Sequence, residues 1–172
     1  MNSVYENILM RRSCRSFSGQ PIAAEALHDI LTAGTHAPSA HNSQTRQFTV
    51  LTKPQTIQIF TAEASRAMGR PEYDFFKPTV LVLVSNDPQN PNSGFDCACS
   101  LQNMFLAAHS LGIGSCWINQ LKDAQGDYAL RALLSSLGVP STHHVFGIAV
   151  LGHPSAPCKP MDKSAQVIHF AD

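Results

Sequence analysis

Residues 95–111 constrain the fold more than any other stretch, because they spell a helix with almost no polar face. Phe95, Cys97, Ala98, Leu101, Met104, Phe105, Leu106, Ala108 and Leu111 recur through it and leave no side for water. Such a helix must be covered all round. In a chain of 172 residues, burial on every side predicts a subunit interface as well as a monomer core. Charged residues are only 14% of the chain, against roughly 25% in typical soluble domains, which points the same way. Gly112 follows the helix and predicts a left-handed cap.

The elements around this helix alternate. Ser3-Val4-Tyr5-Glu6 reads as a capping box opening a first helix to about Arg12, with Tyr5, Ile8 and Leu9 on one face. A loop over 13–22 leads to a second helix over 23–35, with Leu27, Ile30 and Leu31 inward. A polar loop over 36–44 precedes an alternating strand at 47–51 and a third helix at 54–68. The run 79–85 is continuously β-branched and aliphatic, which predicts a strand covered on both faces. Residues 86–94 are a connection and 115–119 a short strand or loop. Another helix is expected over 123–137, stopped by Gly138 and Pro140, and then a strand at 144–151. The tail from 152 carries three prolines and an extended run at 166–170, expected to add an edge strand. With no repeat or linker, the pattern predicts one α/β or α+β domain over residues 1–172.

Several classes of function are disfavoured. Twelve basic and twelve acidic residues cancel, so no global field attracts nucleic acid or an anionic membrane. Apolar runs such as 80–84 are far too short to span a bilayer. The N-terminus has no signal-peptide pattern, and five cysteines form an odd set, so reduced thiols in the cytoplasm are expected. Cys97 and Cys99 would point about 200° apart around a helix, which is poor for a shared metal. Gly112-Ile113-Gly114 follows a helix rather than a strand, so the dinucleotide fingerprint fails.

Two segments carry chemistry. Arg11, Arg12, Ser13, Cys14 and Arg15 place three guanidinium groups and a hydroxyl within five residues. Guanidinium forks match phosphate oxygens, although basic residues also favour a plain helix C-terminus. Cys14 lies between arginines, yet a neutral loop cysteine is the expected state. The second segment, Pro38-Ser39-Ala40-His41-Asn42-Ser43-Gln44, crowds amides and hydroxyls that suit the edge of a planar heterocycle, or that form an ordinary turn.

At these residues the chain resembles the nitroreductase family of flavoproteins. The opening Arg11-Arg12-Ser13-Cys14-Arg15-Ser16-Phe17 matches its Arg-Arg-Ser-x-Arg-x-Phe motif. Ala37 to Gln44 match its Ala-Pro-Ser-x-x-Asn-x-Gln loop. Gln102 to Ala108 and Leu111-Gly112-Ile113-Gly114-Ser115-Cys116-Trp117-Ile118 match a later helix and strand. Gly152-His153-Pro154 and the terminal Val167-Ile168-His169-Phe170 match its end. The resemblance spans essentially the whole chain and implies an α+β three-layer sandwich, a mostly antiparallel sheet flanked by helices, in an intertwined homodimer with FMN between the subunits.

By position, Arg11, Ser13 and Arg15 resemble the contacts to phosphate, ribityl and pyrimidine edge, with Arg12 beside them. Pro38, Ser39, Ala40, Asn42 and Gln44 resemble the loop that reaches the flavin from the other subunit. Trp117, Ile118, Asn119 and Gln120 resemble the segment behind the ring, and the backbone N–H facing N5 is expected at Asn119. Lys159 matches a tail lysine that meets the phosphate. Met161 stands where the family has an arginine, with Lys163 as the nearest other base, so a weaker or differently built clamp is expected. No side chain is assigned as a catalytic acid or base, and no metal is expected. The resemblance implies NAD(P)H as donor and a small aromatic or quinone acceptor, in a ping-pong cycle. Other chemistry on the same fold (enone or flavin reduction, dehalogenation) and flavin binding without turnover stay open.

Overall fold

The computed structural model describes residues 3–158 and 168–171. Its centre is the aliphatic run expected to be covered on both faces, here strand β2 (Val80–Asn86), in which every residue is buried. It joins β1 (Gln47–Leu51), β3 (Gly114–Ile118) and β4 (His144–Gly152) in an antiparallel sheet of order β1-β2-β4-β3. Alternation sorts the side chains of β2. Val80, Val82 and Val84 meet α2 (Ala24–Thr35) and α4 (Ser93–Ser110), while Leu81 and Leu83 meet α3 (Pro54–Ala67) and α5 (Tyr128–Ser136). Helices on both faces of an antiparallel sheet make the three-layer α+β arrangement that the sequence predicts.

Helix α4 is covered along one face only. Cys97, Leu101, Met104, Phe105 and Ala108 are buried under the sheet and α2. On the other side Phe95 is 73% exposed, and Cys99 and Gln102 are exposed too. Helix α1 (Ser3–Met10) lies beside that open face, where Asn7 Nδ2 donates to the Leu106 carbonyl at 2.9 Å. None of its residues is buried, and Val4, Tyr5, Ile8, Leu9 and Met10 are exposed. Gly112 has φ +72°, and the Gly112 and Ile113 amides bond back to His109 and Ala108, closing α4 as expected.

Three expectations need correction. The helix expected over 123–137 is split into a 3-10 turn at Gln120–Ala124 and α5. Gln125 breaks it by turning inward to donate to Leu121 O and accept from Val145 N, which ties the turn to β4. Asp127 then caps α5 by accepting from Leu130 N at 2.9 Å. The first helix, described from Ser3, ends at Met10 rather than about Arg12. In the tail, Ile168 to Ala171 form no strand, and Ile168 and Phe170 are exposed. Lys159, Met161, Lys163 and the start of the expected edge strand lie outside the described residues.

Candidate functional site

The arginine segment is held by backbone pairing. After α1, Ser13 and Cys14 pair with the free edge of β3, and residues 16–18 pair with residues 153–155 beyond β4. Ser13 pairs with Ser115 in a parallel bridge and Cys14 N donates to Ser115 O at 2.8 Å. Further on, Ser18 N donates to His153 O, Ser155 N donates to Ser16 O, and the Ser16 and Ser155 hydroxyls meet at 2.6 Å. This fixes a cavity of about 470 Å³ lined by Arg11 to Ser16 and by residues 155–158. Arg12 Nη1 caps the end of α1, donating to the carbonyls of Leu9 at 2.5 Å and Arg11 at 2.7 Å. Arg15 and Arg11 both lie near enough to the Cys116 thiol for their charges to act on it.

Motifs far apart in sequence meet here because glycines let them. A Cβ on Gly114 would sit 2.8 Å from Cys14 Cβ and 3.0 Å from Pro154 Cγ. A Cβ on Gly152 would sit 2.8 Å from the Phe17 ring. Cys14 and Phe17 of the first motif thus rest on Gly114 and Gly152 of two later ones. Burial pushes the Cys14 thiol up, with Cys158 and Cys116 adding in the same direction, so Cys14 is a packed, neutral thiol. Burial likewise raises Cys116 despite Arg15 and Arg11, and pushes Cys97 up to about 12. His109 is lowered by burial and then by the charges of Arg11 and Arg12, which places it beside the same segment.

The amide-rich loop is built differently. Residues 40–42 form a 3-10 turn, and His41, Asn42 and Gln44 have φ of 54°, 54° and 51°. Side chains close it on itself: Ser39 Oγ accepts from Gln44 N at 3.1 Å, and Gln44 Nε2 donates to Asn42 Oδ1 at 2.9 Å. Asn42 and Gln44 are exposed, Pro38 is exposed, and Ser39 and Ala40 are half-buried. Ala40 N donates to Asp96 Oδ1 at 3.0 Å.

The structure brings some predicted residues together and keeps others apart. Arg11, Ser13, Arg15 and the strand leading into Trp117 and Ile118 converge at the C-terminal end of α4. The loop 38–44 sits at its N-terminal end, on Asp96. At about 1.5 Å per residue, Asp96 and Ala108 are ~18 Å apart along the helix. Trp117 is 41% exposed, and its ring lies 6.4 Å from that of Phe105. Ile118 is buried, and Asn119 and Gln120 are exposed. The Asn119 N–H already has an acceptor, Gln120 Oε1 at 3.1 Å.

Residues 8–153 match the sequence profile of the Nitroreductase family. The chain belongs to the Nitroreductase family. A nitroreductase from Bacteroides fragilis, solved with bound FMN, superposes with a TM-score of 0.92 and 36% identity over 100% of both chains. A protein of Archaeoglobus fulgidus, assigned by name to the NADH dehydrogenase/NAD(P)H nitroreductases, is 30% identical over 90% of this chain and 87% of its own. An NADPH-dependent FMN reductase of Bacillus subtilis is 27% identical over 90% of this chain and 67% of its own.

Within this nitroreductase-family fold, two site neighbours were not visible to sequence reasoning. Asp96 is buried under the loop, and its signal was that of the only carboxylate in the apolar helix. Arg46 donates from Nη2 to Thr35 O at 3.0 Å and Ala37 O at 2.6 Å, tying down the loop's entry. Its signal was weaker, a lone base before a strand. Among the described residues no helix is long and apolar enough to cross a membrane.

Proposed function

We propose that this chain is the subunit of an FMN-dependent NAD(P)H oxidoreductase whose sites are shared between two copies. The observation that carries this reading is the cavity holding Arg11, Ser13 and Arg15 against the edge of β3. Its donors suit a phosphate, and its walls are fixed by backbone bonds before any ligand arrives. The named relatives support the cofactor and the donor: one is solved with bound FMN, and others are reductases of FMN or users of NAD(P)H. The exposed apolar faces of α1 and α4 support a second copy, as does the ~18 Å between the two candidate segments along α4.

When bound, the flavin supplies the redox chemistry, taking hydride from a nicotinamide and passing electrons to a nitroaromatic or quinone in a second half-reaction. The protein's part is placement and charge. Arg11 holds a phosphate whose charge is the same in both redox states. Arg15, beside Cys116 on β3, faces the pyrimidine edge, where reduction builds negative charge, and stabilises it there. Arg12 is occupied at the end of α1 and acts mainly by fixing its neighbours. Asn119 presents its amide to the ring only after Gln120 Oε1 releases it, which makes Gln120 part of the ring-facing contact. Protons reach an open pocket from solvent, so no side chain serves as the acid.

Purified protein is expected to be yellow and to release FMN, not FAD, on denaturation. It should oxidise NADH or NADPH only when a quinone or nitroaromatic is present. A colourless protein that takes up no FMN would overturn this reading. Flavin retained without nicotinamide oxidation would leave a binding protein in place of an enzyme.

A further inference from the structure

The loop 38–44 is folded against its own preferences. Three non-glycine residues, His41, Asn42 and Gln44, lie in the left-handed region. Such a shape persists only where the surroundings over-determine it. The Ser39–Gln44 and Asn42–Gln44 bonds close the loop on itself and do not tie it to the rest of the fold. Arg46 ties the body of the protein to Thr35 and Ala37, at the entry. The middle of the loop is tied by Asp96, which accepts the Ala40 N–H through Oδ1 at 3.0 Å.

Asp96 is an unusual residue for this place. It lies in the first turn of a helix whose inward face is otherwise apolar or small, and it is only 5% exposed. Its second oxygen, Oδ2, is shielded from solvent and has no hydrogen-bond partner. Burying a carboxylate with one oxygen unpaired is unfavourable for the fold. What the side chain supplies is an acceptor aimed at the loop's backbone.

We propose that Asp96 is the positioning residue of the flavin-facing loop, fixing through the Ala40 amide the conformation in which Asn42 and Gln44 meet the cofactor. This rests on the reading that the loop faces FMN. Asp96 touches neither cofactor nor substrate and acts through Ala40. The other end of the bond gives an independent handle. Ala40 opens a 3-10 turn and follows an extended Ser39 (φ −138°, ψ 151°), a place that accepts proline's backbone; the ring replaces the N–H with a carbon that also pushes Asp96 Oδ1 away.

The test measures FMN dissociation constants of the intact protein by flavin fluorescence, with thermal melts of the apoprotein alongside. Asp96→Ala and Ala40→Pro are each expected to weaken FMN about tenfold, just under the low end for a lost charge-assisted hydrogen bond because the contact acts on FMN only through the loop. The double variant is expected to be no weaker than either single one, because both remove the same bond. Asp96→Asn keeps an acceptor for Ala40 and is expected to stay within about threefold of the wild type. Leu134→Ala, on the opposite layer, is expected to lower the melting temperature and leave FMN affinity alone. Full affinity in Asp96→Ala, or additive losses in the double variant, would overturn the proposal. So would a loss in Asp96→Asn as large as in Asp96→Ala. Wild type that binds no FMN would instead overturn the reading on which the proposal rests.

Discussion

The two candidate segments reach the same purpose by opposite construction. Residues 11–18 are stiffened by backbone bonds to β3 and to residues 153–155, and their packing depends on glycine at 114 and 152. Residues 38–44 have no strand beside them. They hold three left-handed residues in place with side-chain bonds and two charged anchors, the half-buried Arg46 and the buried Asp96. A segment fixed by backbone pairing keeps its shape when a side chain changes and loses only that side chain's chemistry. A segment fixed by side chains loses its shape first. This suits their proposed tasks: the arginine segment must hold an unchanging phosphate, while the loop must reach across to a neighbouring chain.

The largest expected effects are in the arginine segment. Arg11→Ala and Arg15→Ala are each expected to cost about 1.5–3 kcal/mol of FMN binding, as for a lost charge-assisted contact. Spectroelectrochemical titration separates them. Arg15→Ala should lower the flavin midpoint potential, because Arg15 favours the reduced anion, and Arg11→Ala should leave it nearly unchanged. Equal shifts would show the two roles to be wrongly divided.

Next comes Gly114→Ala. Its new methyl would meet Cys14 Cβ at 2.8 Å and Sγ at 2.9 Å, and neither backbone can retreat from the Cys14–Ser115 bond. Overpacking of this kind costs about 1–3 kcal/mol. Urea denaturation should show that loss together with weaker FMN binding. A stability loss without any change in FMN binding would separate this packing from the site.

Much of this contrast was legible in sequence where the signals are local. The arginine chemistry, the strands at 47–51 and 79–85 and the all-apolar helix follow from residue type and period; β4 also falls where expected, and β3 fills the stretch read as strand or loop. What was hidden is what distant residues do to one another. Gln125 breaks a helical pattern because Val145 is there to bond it. Gly114 matters because Cys14 lies on it, and no period in the sequence relates the two. The left-handed residues of the loop carry no glycine to announce them, and Asp96 looked like one acid in an apolar helix. Arg12 read as chemistry, and the structure finds its guanidinium capping α1.

Smaller effects test the strained half of the comparison. His41→Gly removes a left-handed penalty of about 1–2 kcal/mol and adds a glycine entropy cost of about 0.5–1 kcal/mol. A net gain of roughly 0.5 kcal/mol in urea denaturation is expected from that difference. A clear loss would mean that the loop is not strained at His41.

The smallest effect lies away from both segments. Asp127 caps α5 and pairs with Arg66 at 2.6 Å, and Arg66 holds its carboxyl below the usual carboxylate range. Its folded pKa is depressed, so its contribution is present above the unfolded value and is lost as pH falls through the folded one. Asp127→Ala should therefore lower the melting temperature at neutral pH, and the gap to wild type should close in the acid range below about pH 4. A gap that persists at the lowest pH would assign the effect to something other than the ionised cap. FMN affinity should not change in this variant.

The central claim is that each site takes its arginine segment from one chain and its loop from another. Two variants, Arg11→Ala/Arg15→Ala and Asn42→Ala/Gln44→Ala, each weaken FMN binding as homodimers. With different affinity tags, their heterodimer can be purified and its flavin counted. If the segments come from different chains, one site in the heterodimer carries both lesions and the other carries none. The account predicts one FMN bound with wild-type affinity per heterodimer, while both parents stay weak. A heterodimer that binds FMN no better than its parents would place both segments on the same chain and contradict the account.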